Sequence, residues 1–110
     1  GPAQVWLDLT GDGLNPDGAV TDAAGNLWNA QWGAGRVAQY SPDGAFLGAV
    51  SVPAAHSSCP AFGGPDLSTL FCTSAREHLS PDAIAANPAH GQTFAAPAPG
   101  PGLPEPRVIL

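Results

Sequence analysis

Short runs of alternating apolar and polar residues, each closed by glycine, proline, asparagine or aspartate, follow one another along most of the chain. Val5–Leu9 is the first such run, and TGDGLNPDG after it reads as a loop. Ala19–Asp22 and Asn26–Trp32 flank AAG, a tight hairpin connection in which Gly25 can adopt positive φ. Gly35–Tyr40 follows GAG, and Phe46–Val52 follows SPDG, where Pro42 and Gly44 suit a turn. These runs predict three or four strands joined by short hairpins, an antiparallel meander.

The second half repeats the theme. Cys59–Phe62 precedes the turn-rich GGPDLS, and Thr69–Ser74 is a further strand. Leu27-Trp28 and Leu70-Phe71 hold equivalent places 43 residues apart, and GRVAQY finds an echo in GQTFAA, Gly91–Ala96. A period of ~40–50 residues is that of four-stranded propeller blades. Between the strands, Ser80 is a good helix N-cap, Pro81 suits the first helical position, and Asn87-Pro88 ends the helix after about two turns. PAPGPGLPEP reads as an ordered connection without regular structure, and Val108–Leu110 as a strand in search of a partner.

Length and charge narrow the class. A chain of 110 residues has room for one domain of modest core. Only 11% of residues are charged, so much of the surface is suited to meeting other protein. A net charge of −6 with three Lys and Arg together lacks the basic patch that nucleic acid requires. No apolar run reaches the ~20 residues that cross a bilayer, so no membrane partner is expected. Cys59 and Cys72 lack the close pairs of a zinc motif and are expected to be buried thiols. Gly1-Pro2 resembles the scar of a cleaved purification tag, with residues 3–110 as the folded part.

The chemistry-bearing residues are few. Asp17 sits in Pro16-Asp17-Gly18, where the proline fixes φ and the glycine permits an unusual turn; it is an ordinary turn carboxylate or a rigidly held ligand. Asp43, in the same tripeptide, is the internal control. Trp28 and Trp32 share one strand face and are expected to pack between sheets, while Asn29 and Gln31 occupy the opposite face as candidates to line a channel. Arg76 is expected to pair with Glu77 or Asp66. His56, His78 and His90 lack metal-ligand spacing, and no serine has the strand–elbow–helix context of a nucleophile.

Three stretches, NPDGAVTDAAGNLWNAQWGAGRVAQYSPDG, CPAFGGPDLSTLFCTSARE and GLPEPRVIL, together resemble the senescence marker protein/regucalcin/gluconolactonase family of sugar lactonases. The resemblance implies an all-β fold, a six-bladed β-propeller of antiparallel blades. It implies one divalent metal in the central channel, held by a Glu, a mid-chain Asn and the Asp of a Pro-Asp-Gly in the last third. Asp17 matches that Asp, as metal ligand and possible catalytic base; the other two ligands have no counterpart here. The chain thus resembles the C-terminal third of such an enzyme, about two blades plus one short helix. The implied substrate is a sugar lactone and the implied ion calcium or zinc, with magnesium or manganese as alternatives, in a cytoplasmic enzyme. Two blades leave faces and edges uncovered. Either a missing N-terminal segment of the same enzyme completes them, or three copies assemble as a homo-oligomer and bring three Asp17 side chains to one axis. The alternative is a non-catalytic two-blade module for self-association or partner binding.

Overall fold

Seven strands form two antiparallel sheets in the computed structural model, which describes Gly1–Leu110. The first sheet runs in the order β1 (Asn15–Thr21), β2 (Leu27–Trp32), β3 (Arg36–Tyr40), β4 (Phe46–Ser51). The second runs β5 (Ser57–Gly63), β6 (Thr69–Ser74), β7 (Thr93–Pro97). The helix α1 (Pro81–Ala86) is capped as expected, with Ser80 Oγ accepting from Ala83 N, and it ends at Asn87 before Pro88. No helix is long and apolar enough to cross a membrane.

Three expectations are corrected. Val5–Leu9 is extended but is not a strand, because no neighbouring chain segment offers it a ladder; it lies across the first sheet with Leu7 and Leu9 packed near Ala38 and Tyr40. The stretch NPDG is not loop but the beginning of β1. Val108–Leu110 is exposed and pairs with nothing. The tail before it is ordered. Ala98 N donates to Ser68 O, Ala23 N donates to Pro101 O, and Gly102 bridges Asp22.

The two sheets pack face to face. Trp28, Ala30 and Val37 of the first sheet meet Leu70 and Cys72 of the second, with Val52 and Ala54 of the connecting loop closing the core. Trp28 and Phe62 meet edge to face at 6.0 Å, a favourable aromatic geometry. The internal repeat holds in the pairing register. Leu27 pairs with Tyr40 and Trp28 with Gln39, while Leu70 pairs with Ala96 and Phe71 with Ala95. Phe71 therefore occupies in the second sheet the place of Trp28 in the first. Trp28 is covered by the second sheet at 2% exposure, whereas Phe71 has no sheet over it and is 37% exposed.

Asp22 organises the first hairpin. Its buried carboxylate accepts from Ala24 N, Asn26 N, Asn26 Nδ2, Trp28 Nε1 and Gln39 Nε2, at 2.9 to 3.3 Å. Burial alone raises this carboxyl, but the bonds from Trp28, Asn26 and Ala24 outweigh it and hold it below the usual carboxylate range. A depressed folded-state pKa contributes stability above the unfolded value, 3.8, and loses it as pH falls through the folded value. Asp22→Ala is expected to cost about 3 kcal/mol, because it strands buried donors. The urea midpoint of the wild type is expected to approach that of Asp22→Asn only as pH drops below 4 (about the unfolded pKa).

Candidate functional site

Asp17 lies near the start of β1, the edge strand of the first sheet and the one nearest β5. The β1–β2 register jumps between Pro16 and Ala19: Pro16 pairs with Gln31 and Ala19 with Asn29, so Asp17 and Gly18 together oppose Ala30. This is a β-bulge, a device that re-aims a side chain and recurs beside active sites. Asn29 secures it. Its Nδ2 donates to the carbonyl oxygens of both Asp17 and Gly18, at 3.0 and 3.2 Å, replacing ladder bonds that the bulge removes. The Asp17 side chain itself is exposed.

Gly18 serves a purpose the sequence did not reveal. It is not among the glycines at positive φ; a Cβ there would stand 2.8 Å from Ser58 O, 3.0 Å from Cys59 Cα and 3.1 Å from Cys59 Sγ. Its missing side chain lets β1 and β5 approach. Gly44, in the control tripeptide, does take positive φ, +87°, in a plain hairpin where Ser41 Oγ bonds the Asp43 carboxylate. One tripeptide serves as bulge in one place and turn in another.

Asn29 and Gln31, the candidate channel residues, are buried in this chain: Asn29 is 4% exposed and Gln31 0%. Gln31 Nε2 donates to Tyr40 Oη at 2.8 Å, and its Oε1 accepts from Arg36 Nε at 2.6 Å. Asn29 is thus a neighbour of Asp17 through the backbone, while Gln31 belongs to a separate buried network. Asn29 Oδ1 has no hydrogen-bond partner.

Main-chain contacts carry the Asp17 end of the first sheet across to the second. Asn15 pairs with Trp32, Trp32 bridges His56, and Ala75 N donates to His56 O. Trp32 and His56 stack at 4.2 Å, a contact between a strand and a loop that spacing alone could not announce. Arg76, next in the row, pairs with neither Glu77 nor Asp66; its Nε donates to His90 O at 2.8 Å, and Glu77 contacts His78 instead. Both cysteines are free; Cys72 is buried as expected, and burial pushes its thiol up, whereas Cys59, expected to be buried, is exposed on β5.

No three acids, histidines or cysteines converge to hold a metal ion. The Asp17 carboxylate, exposed on its bulge, offers one hard oxygen donor of the several that a divalent ion takes. The family model described as SMP-30/Gluconolactonase/LRE-like region matches residues 1–76. The chain belongs to this family. Among relatives of the SMP-30/gluconolactonase group, the 6-deoxy-6-sulfogluconolactonase of Pseudomonas putida is 45% identical over 96 residues, 87% of this chain and 33% of that protein. The L-arabinolactonase of Azospirillum brasilense is 48% identical over 88 residues, 80% of this chain and 29% of that protein. The crystal structure of a calcium-binding protein, regucalcin, from Agrobacterium tumefaciens superposes with a TM-score of 0.87 at 48% identity, over 98% of this chain and 37% of that one. The chain spans about a third of the length of these relatives, and its two sheets are part of a propeller of their type.

Gly18→Ala is expected to cost about 1–3 kcal/mol in urea unfolding, since the added methyl meets backbone that cannot swing away. A fully tolerated alanine would show that β1 and β5 are farther apart than described.

Proposed function

We propose that this chain is part of a metal-dependent sugar lactonase, which hydrolyses the internal ester of an aldonolactone to the open aldonic acid. The observation that carries the reading is an exposed carboxylate on a braced bulge, Asp17, in a chain whose relatives include sugar lactonases. The lactones of an aldopentose acid and of a sulfonated hexose acid, named for two of these relatives, indicate the substrate class.

Asp17 has two tasks in this reading. Its carboxylate contributes one ligand to a divalent ion, calcium by the name of the structural relative, with zinc, magnesium and manganese also chemically compatible. A divalent ion held there supplies a Lewis acid for the ester carbonyl. The same carboxylate accepts the proton of the attacking water, which requires hydrogen-bond reach and a fixed direction. Pro16 restricts the backbone before it, and Asn29 clamps the peptide after it. The remaining ligands come from outside this chain, through a preceding segment of the same enzyme or through other copies.

The test combines metal analysis with lactone opening followed by proton release. Wild-type protein is expected to retain a divalent ion and open an aldonolactone. Asp17→Asn is expected to lose the ion and at least about 100-fold in rate, the scale of a removed general base. Asn29→Ala is expected to weaken both while leaving Asp17 in place. Folded protein that binds no ion and opens no lactone supports the second reading, a non-catalytic module for association, favoured by the uncharged outer face of the second sheet.

A further inference from the structure

We propose that Ser58 is a second residue of the Asp17 site, a neutral hydroxyl that binds a hydroxyl group of the sugar lactone. This rests on the reading of Asp17 as part of a lactone site and adds a substrate contact to it. The internal repeat singles Ser58 out. Gln31 and Ser74 lie 43 residues apart, as Leu27 and Leu70 do, and their partners are Pro16 and Ser57. In both strands the ladder breaks at the next residue. Asp17 and Gly18 are set against Ala30, and Ser58 and Cys59 against Thr73; regular pairing resumes with Ala19 opposite Asn29 and Pro60 opposite Cys72. Ser58 therefore holds in β5 the place that Asp17 holds in β1, on a bulge of the kind that re-aims side chains.

The two bulges also touch. β1 and β5 are edge strands of their sheets, and the Cβ that Gly18 lacks would stand 2.8 Å from Ser58 O and 3.0 Å from Cys59 Cα. Asp17 and Ser58 thus flank one contact, and both sheets that make it belong to this chain. Each bulge is held from the strand behind it. Asn29 braces the first through Asp17 O and Gly18 O. Cys72 is the counterpart of Asn29; burial pushes its thiol up and the Ser58 backbone draws it back, so its sulfur borders the second bulge.

The two places differ in chemistry. A carboxylate suits a cation or a proton, whereas a serine hydroxyl suits a neutral polar group. Ser58 is half-buried and Thr73 exposed, which leaves the pair accessible. Thr73 Oγ1 has one proton for two acceptors, Cys59 O at 3.4 Å and Ser58 Oγ at 2.8 Å. Given to Cys59, that proton leaves Ser58 as donor to Thr73 with two free lone pairs. Given to Ser58, it leaves Ser58 one lone pair and its own proton. A sugar hydroxyl is likewise donor and acceptor, so Ser58 can meet it in either sense. The neighbouring Cys59 thiol is weak in both.

The test is a titration of the 110-residue chain, in saturating calcium, with L-arabinonate, the open acid of the lactone for which one relative is named. Backbone amide NMR signals report where it binds. Residues 16–19 and 57–60 are expected to shift together. Ser58→Ala is expected to keep the folded spectrum and to raise the Kd about 5-fold, the scale of one neutral hydrogen bond. Ser58→Thr, which keeps the hydroxyl, is expected to restore it. The proposal is overturned by an absence of binding, by shifts that spare 57–60, by a Ser58→Ala variant that binds as tightly as wild type, or by a Ser58→Thr variant that binds no better than alanine. Lactone opening is measured separately. Ser58-dependent binding without opening removes the lactonase reading and leaves Ser58 in a sugar-acid site; opening with a KM that Ser58→Ala does not move does the reverse.

Discussion

Everything in this chain depends on one sheet face finding another. Trp28, Val37, Leu70 and Cys72 leave water together, and without that contact the second sheet has no covered side and the first keeps only the Leu7–Leu9 segment over its other face. A four-stranded sheet with two exposed apolar faces has no reason to persist in water, and a three-stranded one has less. The hydrogen-bond devices serve this packing. Asp22 ties Trp28 into position from its edge, and the tail around Gly102 is tied by Ala23 and by Leu67 to the hairpin turns of both sheets.

The same packing explains the position of Asp17. β1 approaches β5 closely only because Gly18 has no side chain, and the bulge that accommodates the approach leaves Asp17 exposed at the edge. A carboxylate on a regular, well-paired strand would follow the pleat; one on a bulge is free of that alternation. Asn29 then restrains the freedom so gained. The cost is visible in its own Oδ1, which stays buried and unpartnered. An amide that satisfies two carbonyls at the expense of its own acceptor is expressing a local priority, the fixed direction of the Asp17 peptide.

Much of this was legible in the sequence, for physical reasons that differ between elements. Hairpin turns announced themselves because Gly25 and Gly44 sit where only positive φ serves. The helix was legible through Ser80 and Pro81, whose preferences act locally. The repeat was legible because strand alternation preserves the relation of Leu27-Trp28 to Leu70-Phe71. Asn15–Gly18 was misread as loop because the bulge is a matter of what lies opposite, Ala30 and Cys59, and not of the four residues themselves. Val5–Leu9 was misread for the converse reason. Its pattern is that of a strand, but pattern supplies only half of a ladder. Alternation put Gln31 on the face of Asn29, but not its partners Tyr40 and Arg36, which lie on the next strand and hold it in a buried network.

The candidate site and the open surfaces are therefore one problem. Asp17 is exposed on the edge strand of a stack whose second sheet has an uncovered outer face. Phe71, 37% exposed, and Asp17 on its bulge are both what a two-sheet portion of a longer fold leaves in water.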